Sequence, residues 1–176
     1  TIFEDNNHLL WVSTWNYEIF TIDYLHETIA RSVKHDDNNV SSVAGDFFWA
    51  AMQDELNTIW LGTVGGISKC NTSRSFFKIH NLPAELFRFP NPAIEYLTEN
   101  KNDQTIWAST TQKLLFQYDP FTKKIHTFKF SEMPENNNGW KPYHINKIIF
   151  LRDEVIFFSN TGAWVKKSAS SFKPLK

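Results

Sequence analysis

The sequence has one cysteine, Cys70, so no disulfide can form within the chain and packing alone must hold the fold. Glycine (6) and proline (7) are too few among 176 residues for a collagen-like or linker-like composition. Neither sign of charge dominates. Lys and Arg total 18 against 19 Asp and Glu, a net charge of −1, which lacks the basic excess of a nucleic-acid binder. Mean hydropathy is −0.40, and no apolar run approaches the roughly 18 residues of a membrane span, so no membrane contact is expected of this segment. The start shows no charged, apolar and small-residue succession of a signal peptide. Aromatic residues, by contrast, are abundant: 16 Phe, 7 Trp and 5 Tyr point to a globular chain with a large-ring core.

A repeat organises these rings. Leu10-Trp11-Val12-Ser13-Thr14 recurs as Ile59-Trp60-Leu61-Gly62-Thr63 and Ile106-Trp107-Ala108-Ser109-Thr110, and more weakly as Ile156-Phe157-Phe158-Ser159-Asn160. The aromatic positions 11, 60, 107 and 157 lie 49, 47 and 50 residues apart. An apolar run precedes each later copy: Val43 to Trp49, Ile94 to Leu97 and Ile145 to Leu151. A polar turn with an aspartate comes next, at Asp5, Asp54, Asp103 and Asp153, where short side chains can bond the nearby backbone. After the motif come a third run (Ile19 to Tyr24, Ile67 to Cys70, Leu114 to Tyr118, Trp164 to Lys166) and a fourth (Ala30 to Lys34, Phe76 to Ile79, Ile125 to Phe130, Phe172).

Four short strands per unit of about 45 residues predict an all-β fold of β-propeller blades, each of four antiparallel strands. About four blades are expected, at 1–38, 39–84, 85–132 and 133–176, forming a single propeller segment. Strand periodicity puts each large ring on the face of a small residue two positions on, as in Trp60 with Gly62. Trp11, Trp60, Trp107 and Phe157 are therefore expected to be core rings wedged between neighbouring blades, with the small residue making room.

These residues carry a family resemblance. The aspartate turn, the apolar-Trp-x-small-Thr strand and the following Gly65-Gly66-Ile67-Ser68-Lys69 with Asn71-Thr72 resemble the two-component regulator propeller repeat. The second unit matches best, the third nearly as well, and the fourth departs with Phe157 and Asn160. The resemblance implies a segment of a seven- or eight-bladed propeller in the periplasmic, extracytoplasmic sensor region of an inner-membrane hybrid receptor of Bacteroidetes type. It further implies a non-catalytic role, an oligosaccharide ligand, and signalling through a histidine kinase that this chain does not contain. The start at Thr1 and the short run Ile2-Phe3-Glu4 read as a chain cut from something longer. Four blades could close on themselves, pair with a second copy of the chain, or adjoin the remaining propeller blades, the last being preferred.

Four aromatics fall outside the core pattern and are the candidate ligand contacts. Trp15 follows the first motif where its strand should end, Trp49 ends an apolar run, and Trp140 and Tyr143 lie in the polar stretch 136–143. Flat rings among amides and hydroxyls suit sugars, which present an apolar face and a hydroxyl rim. Trp164 aligns with Ile67 and Leu114 and is expected in the core. No metal or other cofactor is expected, since the six histidines (8, 26, 35, 80, 126, 144) are scattered and Asp36-Asp37-Asn38-Asn39 lacks calcium-loop spacing. The alternative readings are a protein-interaction scaffold and, less favoured, part of a propeller glycan hydrolase or lyase. Sialidase-type turns need a Thr directly before the Trp and a Gly three before it, and the four Arg (31, 74, 88, 152) do not cluster.

Overall fold

The computed structural model describes residues 1–71, 77–80, 93–167 and 170–175. Among the described residues, sixteen strands form four sheets of four. The first sheet holds β1 (Ile2–Glu4), β2 (Leu9–Ser13), β3 (Glu18–Asp23) and β4 (Thr28–Lys34). The second holds β5 (Phe48–Gln53), β6 (Thr58–Thr63), β7 (Gly66–Asn71) and β8 (Phe77–His80). The third holds β9 (Ile94–Asn100), β10 (Thr105–Thr110), β11 (Leu114–Tyr118) and β12 (Ile125–Lys129). In the fourth are β13 (Ile145–Leu151), β14 (Glu154–Ser159), β15 (Gly162–Lys167) and β16 (Lys173–Pro174). Each sheet follows chain order, the antiparallel meander of a propeller blade. The only helical element among the described residues is a single 3₁₀ turn at Phe130–Glu132. The chain divides into two compact units, Thr1–Leu97 and Thr98–Lys176, with the boundary inside β9.

The aspartate turn explains why the motif needs its tryptophan. Asp5 Oδ1 accepts the amides of Asn7 (2.8 Å) and Leu9 (3.1 Å), while Oδ2 accepts the Trp11 indole N–H at 2.8 Å. Asp54 repeats this with Leu56 (3.0 Å), Thr58 (2.8 Å) and the Trp60 indole at 2.7 Å. His8 and Asn57, three residues before each ring, take the left-handed conformation (φ 61° and 58°) that closes the turn. A buried carboxylate thus supplies the partner that a buried indole N–H requires. The motif threonine then braces the following hairpin: Thr63 Oγ1 donates to the Gly66 carbonyl and Thr14 Oγ1 to that of Glu18.

In the first unit, Trp11, Ile19 and Val33 of the first sheet bury against Val43, Phe48, Ile59, Leu61 and Cys70 of the second segment. Trp60 occupies the other face of its sheet, where Gly62 makes room for the next strand. A Cβ at Gly62 would lie 2.6 Å from Ile94 Cγ2 and 2.8 Å from its Cβ. Burial pushes the Cys70 thiol pKa up, and the residue is a buried core side chain.

One expectation needs correction. The apolar run from Val43 to Trp49 is not one strand; β5 begins only at Phe48. Gly45 passes so close to the Val64 carbonyl that a Cβ would sit 1.7 Å from its oxygen, so the backbone here packs as a loop. The run predicted at Phe76 to Ile79 is β8 from Phe77 onward; Phe76 lies outside the described residues.

The larger correction concerns the repeat. In the second unit the third turn is one residue longer: Asn100 Oδ1 takes the Asn102 amide, and Asp103 reaches Trp107 only through Thr105, whose Oγ1 accepts the indole N–H at 3.1 Å and donates to Asp103 at 2.7 Å. Trp107 stacks on Phe128 at 5.7 Å and meets Phe150 of β13 at 5.9 Å. The fourth turn contracts to Arg152-Asp153 between paired Leu151 and Glu154. Phe157 is fully buried, yet it does not repeat the tryptophan's orientation. Ile148 lies opposite Phe157 and Phe150 opposite Val155, so Phe157 shares the Phe150 face that meets Trp107 of the third sheet. Its ring packs on Phe130, Trp164 and Phe172. A one-residue slip exchanges the two faces of a strand. Having no N–H, phenylalanine needs no aspartate acceptor; the indole of this region is Trp164, buried as expected and donating to the Pro134 carbonyl at 3.0 Å.

Candidate functional site: an aromatic groove and an aromatic loop

Trp15 and Trp49 come together in the first unit. They line a groove of about 150 Å³ with Thr1, Ser13, Thr14, Phe47 and Phe48. Trp15 sits in the β2–β3 turn, 83% exposed, because Thr14 ends the strand by pairing both its amide and its hydroxyl with the Glu18 carbonyl. Trp49 is 47% exposed although its neighbours Phe48 and Ala50 are buried. The cause is a bulge: Phe48 pairs with Thr63 and Ala50 with Gly62, leaving Trp49 without a place in the ladder and aimed outward.

The groove wall is fixed from behind. Phe47 accepts the Val64 amide at 3.0 Å and meets the edge of Tyr17 with ring centres 4.6 Å apart. Ser13 Oγ donates to the Phe48 carbonyl at 3.3 Å. Loop 35–47 leading into this wall is held by His35, whose Nδ1 lies 2.6 Å from the Val43 carbonyl and Nε2 2.9 Å from Asp37 Oδ1. Both neighbours are acceptors. The Val43 hydrogen bond, opposed by partial burial and helped by Asp37, raises the imidazole pKa above its ordinary 6.5. The Asp36-Asp37-Asn38-Asn39 stretch is a surface turn, with Asp36 Oδ1 accepting the Asn38 amide.

Trp140 and Tyr143 form a separate surface in the second unit, 56% and 46% exposed. Asn136 builds the loop. Its Oδ1 accepts the amides of Asn138 and Trp140, and Gly139 turns the chain at φ 76°. Four contacts tie the loop to the β14–β15 turn: Asn136 Nδ2 to the Thr161 carbonyl, Tyr143 N to Ser159 Oγ, His144 N to Asn160 Oδ1, and Thr161 Oγ1 to the Lys141 carbonyl. Lys113 Nζ rides 4.2 Å above the Tyr143 ring, adding a cation to the surface. Groove and loop occupy equivalent places in the repeat, each combining a sheet-to-sheet connection with a middle hairpin turn.

Phe47, Phe48, Tyr17 and Lys113 were not singled out by sequence. The run Phe47-Phe48-Trp49 was visible, but which ring points outward depends on the bulge. At the other end of the second unit, a cleft of about 280 Å³ gathers Asp103, Gln117, Arg152, Asp153, Glu154 and Lys166. Two of its carboxylates serve structure: Asp103 receives Thr105 and Gln117, and Glu154 pairs with Lys167 at 2.9 Å. Arg74 and Arg88 lie outside the described residues. Among the described residues no three His, Cys, Asp or Glu side chains are grouped to hold a metal, and no helix is long and apolar enough to cross a membrane.

No protein-family model matches the chain, and no curated protein matches it. Solved structures do. The extracellular domain of BT4673 from B. thetaiotaomicron, described in one structure as a one-component system and in another as a hybrid two-component system, superposes with TM-scores of 0.68 and 0.66 at 18% and 19% identity. Both alignments cover 95% of this chain. The extracellular domain of the hybrid two-component system BT3049 from the same organism gives 0.64 at 16% identity over the whole chain. The chain shares their fold. It spans about a fifth of their length, 21% in each case.

Proposed function

We propose that this chain is a non-catalytic, ligand-sensing segment of the periplasmic region of a two-component signalling receptor, and that its ligand is a neutral oligosaccharide. The observation that carries the reading is the groove holding Trp15 and Trp49, two exposed indoles beside serine and threonine hydroxyls. Indole faces take the apolar side of a sugar ring, while the hydroxyls and backbone carbonyls around them take its rim. The fold shared with extracellular domains of two-component systems supports the sensor role. A groove of about 150 Å³ suits one sugar ring rather than a long chain. Trp140 and Tyr143 offer a second contact surface. Binding energy spent on one conformation of the receptor would shift its population toward the signalling state.

The test is a titration of the chain with malto-, xylo- and manno-oligosaccharides, followed by tryptophan fluorescence and calorimetry. Binding weakened at least tenfold by Trp15→Ala and by Trp49→Ala, with unchanged folding, is the expected result. Equal binding by these variants, or none of the three series binding, contradicts it. Two carboxylates of the polar cleft, Asp103 and Glu154, are already engaged by Thr105, Gln117 and Lys167, which favours binding over hydrolysis.

A further inference from the structure

The β10–β11 turn carries a lysine where packing asks only for contact. Tyr17 and Lys113 stand in the same place of the repeat, each three residues after its motif threonine, Thr14 or Thr110. Both take the left-handed backbone, at φ 64° and 63°. From there each side chain reaches the connection leading into the next sheet of its own unit. Tyr17 meets Phe47 edge to face with ring centres 4.6 Å apart; Lys113 sets its ammonium 4.2 Å above the Tyr143 ring. The same backbone and the same reach thus give an aromatic contact in the first unit and a cation in the second.

That cation is held in position. The Lys113 amide donates to the Thr110 carbonyl, and the Lys113 carbonyl accepts the Phe130 amide, both at 3.0 Å. Tyr143 is anchored through its amide to Ser159 Oγ at 3.1 Å, and the His144 ring meets it at 81° with centres 4.5 Å apart. Lys113 occupies a ring face that a sugar would need, so Tyr143 is a seat for the ammonium rather than a stacking platform. Lys113 is exposed, and among the described residues no carboxylate pairs with it. The other charges of the loop are mostly engaged: Lys141 Nζ donates to the Ser131 carbonyl at 2.6 Å, and Glu132 pairs with Lys129 at 3.0 Å. The Glu135 carboxylate lies at the Gly139 turn, 3.9 Å from where a Cβ of that residue would stand. Trp140, three residues before Tyr143 and so within about 10 Å of chain, leaves its indole exposed.

We infer that this loop is a subsite for an acidic sugar, with the apolar face of a hexuronate ring on Trp140 and its carboxylate on the Lys113 ammonium. A hexuronate joins a C–H face to one fixed carboxylate, and an exposed indole beside a seated ammonium offers the complement of both. Fixing a lysine around an anion ordinarily costs side-chain entropy; the Tyr143 ring has already restricted this one. The inference rests on the reading of the exposed rings as sugar contacts. It adds charge selection at a surface other than the Trp15–Trp49 groove, whose lining side chains are uncharged.

Titration of the chain with trigalacturonate, trimannuronate and neutral galactotriose tests this, with the indole N–H signals followed by nuclear magnetic resonance. A hexuronate is expected to shift Trp140 and to bind there roughly fivefold or more tightly than galactotriose, with the preference shrinking as salt is raised. Lys113→Gln, which keeps the stem and removes the charge, should erase that preference, and Lys113→Arg should retain it. Unmoved Trp107 and Trp164 signals report that each variant folds. Equal affinity for charged and neutral trisaccharides at Trp140 overturns the inference, as does a preference that survives Lys113→Gln. No Trp140 shift by either hexuronate up to about 10 mM also overturns it. Acetate matching the hexuronates would mark an ion site without sugar recognition and overturn it too. Shifts confined to Trp15 and Trp49 would leave the groove reading standing and sink this one; charge-selective shifts confined to Trp140 would do the reverse.

Discussion

The second and fourth sheets come from copies of one sequence repeat, yet they place their large ring on opposite faces. Trp60 has Asp54 six residues before it, in a turn whose carboxylate takes two backbone amides and the indole N–H. Phe157 follows a two-residue turn with no such acceptor, and its ring faces the sheet before it rather than the one after. The difference teaches what the repeat conserves physically. A buried indole constrains the strand register because its N–H must reach an acceptor, for Trp60 the Asp54 carboxylate; a phenyl ring carries no such demand and leaves register to turn length.

Truncation at the tryptophan gives the largest expected contrast. Trp60→Ala should cost roughly 3–5 kcal/mol in chemical denaturation, the range for a large buried ring. Trp15→Ala, at a site 83% exposed, should stay within about 0.5 kcal/mol. A cost above 1 kcal/mol at Trp15 would show that its ring belongs to the core rather than to a binding surface.

Next comes the room made for the neighbouring strand. Gly62→Ala places a methyl carbon 2.6 Å from Ile94 Cγ2, and overpacking of this kind costs roughly 2–3 kcal/mol, outweighing the usual gain from removing a strand glycine. Ile94→Val keeps the crowded Cγ2 and Cβ and removes only Cδ1, so combining it with Gly62→Ala should recover none of the loss; a recovery would place the clash at the end of the Ile94 side chain instead.

The aspartates sharpen the comparison further. Asp54→Ala strands a buried indole N–H and two amides and should cost about 1–3 kcal/mol. Asp153→Ala, in the fourth turn, should fall within about 0.5 kcal/mol. Equal costs at the two positions would mean that the fourth turn has an acceptor role after all.

These contrasts mark what was legible in the sequence. The strand count, the four-stranded units and the burial of Trp11, Trp60 and Trp107 followed from a motif whose aspartate and tryptophan are chemically coupled. Hidden features were those set by a single residue of register. The extra residue after Asn100 puts that turn-building side chain seven residues before Trp107, so the indole donates to Thr105 instead, the short Arg152-Asp153 turn reverses the face of Phe157, and the bulge at Trp49 decides which aromatic leaves the core. Apolar pattern alone cannot fix these, because one slipped residue converts an inward position to an outward one. The pairing of Trp15 with Trp49 was likewise invisible, being made by chain separated by more than thirty residues in sequence.

The smallest expected effect concerns pH. His35 is held between two acceptors, and its folded pKa is raised above 6.5. A raised imidazole contributes stability that is complete below 6.5 and is lost as pH climbs through the folded value. Stability should therefore decline gently from pH 6.5 upward, and His35→Gln should flatten that decline while leaving the acidic limb unchanged. An unaltered slope in the variant would assign the decline to another group.

Hydrogen exchange of the seven indole N–H groups, followed by nuclear magnetic resonance, tests the account most directly. Trp11, Trp60, Trp107 and Trp164 donate to Asp5, Asp54, Thr105 and the Pro134 carbonyl and should exchange slowly. Trp15, Trp49 and Trp140 should exchange at once, and an oligosaccharide that binds should shift Trp15 and Trp49 while leaving the four slow signals in place. A fast Trp60 indole, or protection of Trp15 in the free chain, would contradict the division of these rings into a structural repeat and an exposed binding surface.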